Sequence, residues 1–262
     1  MDLRLSGQAA IVTGSSRGIG ASIARTLARE GVSVVVNYAR DEAGAKAVRA
    51  AIEADGGRAT VCQGDVGDPA TGERLVRHAL DHFGRLDILI NNAGAMARIP
   101  FIETPMEELD RLLNTNLKGT FNCCQAAARH MIRSRYGRIL NCSSGAASIG
   151  SAGHAAYSAS KAAIEALSRV MAGELAPYNI LVNVYVPGLF ETDMSRPAIE
   201  RRGSEMVSAI GLRRPGQPEE LAALVAFLAS PLNSYMTGAT VAVNGGKLVI
   251  QNPMKPWQDA GL

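Results

Sequence analysis

The chain has 262 residues, and its 47% hydrophobic share and 27 glycines suit a globular α/β protein with a sizeable core and many tight turns. Its net charge of +3 is too small to indicate a nucleic-acid partner. The first residues hold no long apolar stretch and no segment reaches membrane-spanning length, so we expect a soluble cytoplasmic protein with no membrane partner.

A glycine-rich turn follows the first predicted strand, residues 9–13. The sequence there is G-S-S-R-G-I-G, and an amphipathic helix is predicted over residues 21–30. Strand, glycine turn and helix form the order that a phosphate-binding loop requires. Gly14, Gly18 and Gly20 let the backbone approach a pyrophosphate, and the helix start supplies free N–H groups. An ordinary βα turn is the alternative, but the position after the first strand favours nucleotide binding.

The second predicted strand, residues 33–37, is β-branched and continuous, as expected for a strand buried on both faces. An NAD site usually places a carboxylate at the end of this strand, for the ribose 2′-hydroxyl. Here the strand ends in N-Y-A-R, and the first acid is Asp41. Arg40 and Arg17 could instead hold a 2′-phosphate, which predicts NADP(H) as the preferred cofactor. If Arg40 is only a solvated loop charge, NAD(H) remains possible.

Short apolar strands and helices continue to alternate up to residue 91. We predict helices over residues 42–54 and 69–83 and strands over residues 59–62 and 86–90. Asp65 and Val66 follow the third strand, where an adenine ring could rest, and the fourth strand ends in N-N-A-G. This alternation predicts one parallel, doubly wound sheet with the ligand site at the carboxyl ends of its strands.

Neither a metal site nor a disulfide is predicted. His78 and His82 lie four apart on a predicted helix, but no third ligand accompanies them, so a solvated helix face is the better interpretation. The four cysteines show no CxxC spacing and three lie in apolar segments, which indicates buried thiols in a reducing compartment.

A long helical region is predicted over residues 105–133. Asn114 and Asn116 interrupt it, and a buried asparagine in a long helix is more often a satisfied hydrogen-bond partner than a catalyst. A basic cluster lies at the end of this region and before the next strand; we expect solvated surface, with docking of an acidic partner as the alternative. The cluster consists of Arg129, Arg133, Arg135 and Arg138.

Three side chains of the right chemistry follow in the next strand and helix. Tyr157 and Lys161 lie four apart on a predicted helix and therefore share one face, and Ser144 lies just past the strand over residues 138–142. A neighbouring ammonium favours phenolate and so lowers the pKa of a tyrosine toward neutral pH. A hydroxyl beside it can stabilise charge on a carbonyl oxygen. The alternative is an Ala/Ser-rich core helix with one solvated lysine.

The last third completes the sheet. We predict strands over residues 181–186 and 240–243 and a helix over residues 218–229, while residues 188–217 have weak periodicity and are interpreted as a mobile substrate lid. Residues 1–246 are predicted to form a single domain and residues 247–262 a C-terminal tail. The tail holds the only tryptophan, Trp257, which we expect to pack on a neighbouring subunit.

Several of these motifs occur together in one order: Thr13-Gly14-x-x-x-Gly18-x-Gly20, Asn91-Asn92-Ala93-Gly94, Asn116, Ser144, Tyr157-x-x-x-Lys161, Pro187-Gly188 and Thr192. From about residue 5 to 246 the chain resembles the classical subgroup of the short-chain dehydrogenase/reductase family. The resemblance implies a single Rossmann-type α/β domain with a seven-stranded parallel sheet. It also implies a homotetramer assembled through the helices over residues 105–133 and 151–176.

The resemblance also implies residue roles. Tyr157 corresponds to the general acid/base, and Lys161 to the group that lowers its pKa and binds the nicotinamide ribose. Ser144 corresponds to the residue that orients the carbonyl, and Asn116 to the one that supports a proton relay. The implied cofactor-binding residues are Gly14, Ser16, Arg17, Gly18, Ile19, Gly20, Asn37, Tyr38, Arg40, Asp65, Val66, Asn92, Ala93, Gly94, Tyr157, Lys161, Pro187, Gly188 and Thr192. Asn244 stands where many relatives have aspartate.

We therefore predict an NADP(H)-dependent oxidoreductase that interconverts a ketone and a secondary alcohol. One hypothesis is a 3-oxoacyl-thioester reductase, similar to 3-oxoacyl-acyl-carrier-protein reductases, whose basic cluster receives an acyl carrier protein. A sugar or polyol dehydrogenase, which uses the free small molecule, is the second hypothesis. His154 is expected to border the pocket or to have no role. A non-catalytic dinucleotide-binding sensor is the alternative from another class.

Overall fold

A seven-stranded, entirely parallel sheet forms the centre of the computed structural model, which describes residues 2–193, 195–247, 249–250 and 252–260. The strands are β1 (Ala9–Val12), β2 (Ser33–Tyr38), β3 (Arg58–Gln63), β4 (Ile88–Asn91), β5 (Gly137–Cys142), β6 (Ile180–Pro187) and β7 (Thr240–Val243). They lie in the order β3-β2-β1-β4-β5-β6-β7. The predicted doubly wound sheet is confirmed, and its strand order reverses direction between β1 and β4, where an α/β protein binds its ligand.

Helices cover both faces of the sheet. Those in the described part of the chain are α1 (Gly18–Arg29), α2 (Glu42–Ala54), α3 (Thr71–Phe83), α4 (Met106–Leu112), α5 (Gly119–Ser134), α6 (Ala155–Leu175), α7 (Arg196–Ser208), α8 (Pro218–Ala229) and α9 (Lys255–Asp259). One core packs α1, α2 and α8 on the first face, and a second packs α3, α5 and α6 on the other. No helix in the described ranges is long and apolar enough to cross a membrane.

Alternation along the strands divides the core between these two faces. In β1, Val12 belongs to the α1–α8 core, whereas Ile11 belongs to the α3–α5 core. The neighbouring strand follows the same rule, because Val34 faces the first core and Val35 the second. Side chains of successive strand residues point to opposite faces, so a strand buried on both sides is apolar at most of its positions rather than at every second one.

The long predicted helix over residues 105–133 is not continuous. Between α4 and α5 the chain forms a π-helical turn, Leu113–Lys118, at the position of the two asparagines. A π-helical turn carries one extra residue and changes the direction of the backbone groups around it. Asn116 is fully buried in this turn, whereas Asn114 is partly exposed.

Two segments of the C-terminal third contain helices that weak periodicity did not predict. The predicted lid over residues 188–217 contains α7, and the tail over residues 247–262 contains α9. Met194 in the lid and Leu248, Gln251, Gly261 and Leu262 in the tail lie outside the described residues. The contact of Trp257 with a neighbouring subunit stays a prediction; within its own chain, the indole Nε1 of Trp257 donates to the carbonyl oxygen of Gly211 at 2.9 Å.

Three arginines of the predicted basic cluster, Arg129, Arg133 and Arg135, are exposed as expected, but the expectation of a solvated side chain was wrong for Arg138. Arg138 is only 3% exposed, and its guanidinium lies over the ring of Tyr136 at 4.6 Å. Burial lowers the pKa of Arg138. Arg129 forms an ion pair with Glu73 at 3.1 Å, and Arg135 donates to a backbone carbonyl. Parallel strand β5 begins at Gly137, so position 138 is inside the sheet and a long side chain there must fold back over a neighbour.

The candidate metal ligands and thiols have ordinary structural surroundings. His78 and His82 stack on one another with ring centroids 4.0 Å apart, and His78 Nε2 lies 3.0 Å from the Thr60 hydroxyl. Among the described residues, no group of three or more His, Cys, Asp or Glu side chains could hold a metal ion.

Three of the free cysteines, Cys62, Cys123 and Cys124, are buried as predicted. Burial raises the pKa of Cys123 to about 12.

Candidate active site

A groove of about 390 Å³ opens at the carboxyl ends of β1, β2 and β4. Of the residues predicted to bind the cofactor, it is lined by Gly14, Ser16, Arg17, Gly18, Ile19, Gly20, Asn37, Tyr38, Arg40, Asp65, Val66, Asn92, Ala93, Gly94 and Thr192. Ala39, Asp41, Gly64, Thr115 and Asp193 also line it and were not predicted. Each strand end contributes a short loop, so residues far apart in sequence meet along one edge of the sheet.

The floor of the groove admits only glycine at two positions. A Cβ on Gly20 would lie 2.6 Å from the Gly14 carbonyl oxygen, and one on Gly14 would lie 2.8 Å from Ala93 Cα. Gly14 also has a φ of +59°, which other residues rarely adopt. Arg17, at the N-cap of α1, makes no side-chain capping hydrogen bond, so its side chain does not pair with the first N–H groups of this helix. A close-approaching backbone and a helix start together fit a pyrophosphate.

Thr13 and Asn92 hold this turn in place. The Thr13 hydroxyl accepts hydrogen bonds at 3.0 Å from the backbone N–H groups of Asn92 and Ala93. In return, Asn92 Nδ2 donates to the carbonyl oxygens of Thr13 and Gly14, both at 3.1 Å. Asn92 was predicted as an adenosine contact, and its amide N–H groups are engaged by the loop. Thr13 was not among the predicted site residues. Its hydroxyl directly before the glycine turn was the feature of the sequence that indicated its role.

The amide of Asn37 is likewise committed to the protein. Its Oδ1 accepts from Gly14 N at 3.1 Å, while Nδ2 donates to the carbonyl oxygens of Cys62 and Gly64 at 3.1 and 3.0 Å. The side chain is 1% exposed. Asn37 therefore links the ends of β1, β2 and β3. It lines the groove, but both polar atoms of its side-chain amide are already hydrogen-bonded to the protein.

Two arginines line the end of the groove beside β2. Arg17 and Arg40 are exposed, and within the described ranges neither guanidinium has a hydrogen bond or an ion pair. The nearest acid, Asp41, is occupied, because its Oδ1 accepts from Gly44 N at 3.0 Å as the N-cap of α2. This end of the groove thus presents two cations and a carboxylate that is already engaged.

Ser144, Tyr157 and Lys161 lie together at the start of α6 and the end of β5. The hydroxyl of Ser144 lies beside that of Tyr157, and Lys161 Nζ lies 5.8 Å from the centre of the Tyr157 ring. Lys161 is 3% exposed, and its Nζ donates to the carbonyl oxygen of Cys142 at 2.8 Å. A Cβ on Gly94 would lie 3.4 Å from Nζ, which places this amine directly behind the groove.

Burial controls the protonation of both groups. It raises the pKa of Tyr157, although the neighbouring Ser144 hydroxyl opposes this rise. It lowers the pKa of Lys161, since a buried amine is less easily charged. The sequence predicted a lowered tyrosine pKa, but in the structure desolvation raises the pKa of Tyr157 and outweighs the opposing effect of the Ser144 hydroxyl. The phenol is therefore fully protonated at neutral pH.

Asn116 connects the loop after β4 to α6. Its Oδ1 accepts from Ala95 N at 2.7 Å, and its Nδ2 donates to the Ala95 carbonyl and the Ser160 hydroxyl, both at 2.9 Å. Ser160 in turn donates to the Tyr157 carbonyl oxygen at 2.7 Å. The π-helical turn brings Asn116 into this position. Ser160 was not predicted as a site residue, and its place between Tyr157 and Lys161 was the available signal.

The remaining predicted residues lie along the edge of the groove next to β6. Gly188 N donates to Val243 O at 2.8 Å, and a Cβ on Gly188 would lie 2.6 Å from Asn244 Cα. Neither Pro187 nor Gly188 lines the groove itself. Asn244 Oδ1 accepts from Gly246 N at 3.0 Å, so an asparagine satisfies this turn. His154 lies edge-on to the ring of Tyr157, with the ring centroids 6.2 Å apart, and it does not line the groove.

Comparison with known proteins assigns the family. Residues 14–247 match the family model described as enoyl-(acyl carrier protein) reductase. The chain is 41% identical over 239 residues to the 3-oxoacyl-acyl-carrier-protein reductase FabG of Staphylococcus aureus, covering 91% of this chain and 97% of that protein.

Two solved structures share the fold at TM-scores of 0.91. One, from Sinorhizobium meliloti 1021, is described as a short-chain alcohol dehydrogenase; it is 38% identical and covers 96% of this chain and 100% of its own. The other, from Agrobacterium tumefaciens, is described as a gluconate dehydrogenase; it is 32% identical, with 96% and 100% covered. The chain belongs to the short-chain dehydrogenase/reductase family, and it is an oxidoreductase that acts on alcohol CH–OH groups and the corresponding carbonyls.

Proposed function

We propose that the protein is an NADP(H)-dependent ketoreductase with Tyr157 as its general acid/base. The observation that carries this proposal is the group of Ser144, Tyr157 and the buried Lys161, with the Lys161 amine directly behind a groove whose glycine floor fits a pyrophosphate. A bound nicotinamide supplies the hydride for the carbonyl carbon. The protein supplies the proton, the orientation and the stabilisation of charge on oxygen.

The protonation states suit reduction. Tyr157 is protonated at neutral pH because burial raises its pKa, so its hydroxyl can donate the proton that the carbonyl oxygen takes up. The hydroxyl of Ser144 can donate a hydrogen bond to the same oxygen. The amine of Lys161 is held in place by its hydrogen bond to the Cys142 carbonyl oxygen. When this amine is charged, it stabilises the phenolate that Tyr157 becomes after it has donated its proton. In the oxidation direction the same phenolate accepts the alcohol proton.

The preference for NADP(H) over NAD(H) rests on Arg17 and Arg40. Both line the groove without a protein partner in the described part of the chain, and guanidinium groups bind phosphate through paired hydrogen bonds. We expect the double substitution Arg17→Ala and Arg40→Ala to raise the KM for NADPH roughly 10- to 100-fold, as the loss of one or two charge-assisted hydrogen bonds implies. The KM for NADH should stay nearly constant.

Steady-state kinetics with both cofactors tests this expectation. Arg133→Ala, an exposed arginine on α5, is the matched control and should change neither constant. A wild-type enzyme with a markedly lower KM for NADH than for NADPH would contradict the preference.

For the substrate we propose a 3-oxoacyl thioester, supported by the FabG relative at 41% identity. An acyl carrier protein is acidic, so its docking on the basic cluster should weaken with salt. The part of this cluster that can receive the carrier is smaller than predicted, because Arg138 is buried and Arg129 is paired with Glu73. Acetoacetyl thioesters, polyols and hydroxy acids should be assayed with both cofactors at low and high salt. Turnover of the thioester with strong salt sensitivity for the carrier-bound form is the expected result.

A free hydroxy acid is the second candidate substrate, because one structural relative is described as a gluconate dehydrogenase. Arg98 offers a cation for its carboxylate: the side chain packs on Gly153, where a Cβ would lie 3.0 Å from Arg98 Cγ, four residues before Tyr157. Exclusive turnover of hydroxy acids, lost in Arg98→Met, would favour this candidate. A protein that binds NADPH and turns over none of the panel would instead be a non-catalytic sensor.

We further propose a homotetramer formed through α5 and α6. Phe121 on α5 and Val170 on α6 are 46% and 57% exposed, which is unfavourable for apolar side chains unless a second copy covers them. Light scattering on the purified chain tests this proposal, and a monomer at micromolar concentration would contradict it.

A further inference from the structure

The C-terminal tail folds back onto its own chain. Trp257 Nε1 donates to Gly211 O at 2.9 Å, and the guanidinium of Arg213 lies 5.3 Å from the centre of the indole ring. Ile250 packs on the same place, because a Cβ on Gly211 would lie 2.9 Å from Ile250 Cδ1. Three contacts of different kinds therefore join the tail to one short segment of the chain.

That segment is the exit hinge of the lid. We define the lid segment as residues 195–213, with α7 in its middle and residues 209–213 as its exit hinge. Ile210 is 1% exposed, and Leu212 N donates to Gly245 O at 3.0 Å, so the hinge is anchored beside β7. Arg213 has a left-handed backbone with a φ of 53°, which a non-glycine residue keeps only where its surroundings hold it.

The helix of the lid segment, α7, is held more weakly than the exit hinge. No residue of α7 is buried, and the helix bends at Arg202, where φ is −135° and ψ is 22°. Its entry is tied to the groove, because Thr192 and Asp193 line it and Thr192 N donates to Ser195 Oγ at 2.9 Å. A helix without a buried face takes its position from its two ends. The exit hinge is the end that the tail covers.

We propose that Trp257 is a positioning residue that holds the exit hinge and thereby biases the lid segment toward the groove. This inference rests on the proposed ketoreductase function only for its kinetic consequence. When the lid is released, the fraction of enzyme able to bind substrate falls, and the apparent affinity falls by that fraction. Chemistry in the closed enzyme is unchanged, because Trp257 contacts neither Tyr157 nor the groove.

The test compares three full-length variants by hydrogen exchange and by kinetics. Trp257→Ala removes the indole N–H and the ring. We expect roughly five- to tenfold faster hydrogen exchange at the amides of residues 207–213 and a similar rise in the KM for the carbonyl substrate. This size corresponds to the loss of one hydrogen bond. Its kcat should stay within about twofold. Trp257→Phe keeps a ring over Arg213 without the donor and should give an intermediate effect.

Gln258→Ala is the control, since Gln258 is the exposed neighbour of Trp257 on α9. It should change neither readout, and exchange in β1 and β5 should stay constant in all variants. Unchanged exchange at residues 207–213 in Trp257→Ala would overturn the proposal whatever the activity. Faster exchange with an unchanged KM would overturn it too, because the tail would then be only a structural brace. If no carbonyl compound is turned over, the proposed function fails, and exchange in the NADPH-bound protein still decides the role of Trp257.

Discussion

Replacing Tyr157 by phenylalanine is expected to lower kcat for ketone reduction by about 10²- to 10⁴-fold, the usual contribution of a general acid or base. The hydroxyl is the only group lost, and it lies beside the hydroxyl of Ser144. The groove that fits the dinucleotide is not lined by this residue, so the Kd for NADPH should stay within about threefold. Stopped-flow kinetics and fluorescence titration with NADPH measure the two quantities.

Tyr178→Phe makes the same chemical change at a partly buried tyrosine in the α3–α5 core and should leave kcat intact. Ser144→Ala should lose activity as well, because it removes the other hydroxyl that faces the carbonyl oxygen. Wild-type kcat in Tyr157→Phe would refute the assignment of the general acid.

Lys161→Met is expected to have opposite effects on activity and stability. Removing the buried amine should reduce kcat/KM by about 10²-fold or more, since it takes away a preorganised cation beside the reacting oxygen. The free energy of unfolding at pH 7 should be unchanged or higher, because burial opposes the charged lysine and a methionine of similar shape avoids that cost. Among the described residues, the amine of Lys161 donates one hydrogen bond to the protein, to the Cys142 carbonyl oxygen.

The sign of the pH dependence follows from the lowered pKa. Between the folded-state pKa of Lys161 and the ordinary lysine value of 10.5, the unfolded chain binds more protons than the folded one. Wild-type stability should therefore rise with pH across this window, and it should fall as pH drops through the folded-state pKa. Lys161→Met should lack this component, whereas Lys255→Met on the exposed α9 should keep it. Denaturant unfolding at several pH values measures the difference, and an identical slope in wild type and Lys161→Met would contradict the argument.

The strands and most helices could be predicted from sequence because their signals are local. A strand buried on both faces is predominantly apolar, and β2 and β6 are mostly apolar and buried at nearly every position. Helices α2 and α8 begin and end where predicted, since a capping carboxylate starts α2 and a proline starts α8. The helix α7 was missed because none of its residues is buried, and periodicity reports only a buried face.

The chemistry of the site was also readable in part. Tyr157 and Lys161 share a face because four residues make about one helical turn. Their protonation was not readable, because desolvation depends on the atoms that surround each group. Asn37 resembled a ligand contact by its position at a strand end, yet its amide is occupied by three backbone groups.

Local spacing alone therefore specified the parallel α/β architecture, the glycine turn and the pairing of a tyrosine with a lysine. Each depends on backbone geometry within a few residues, which the order of side chains encodes directly. The burial of Arg138, the π-helical turn at Asn116 and the contact of Trp257 with Gly211 were decided only when distant segments packed together. Such contacts join residues whose separation along the chain carries no information about their distance in space, so only the folded chain shows them.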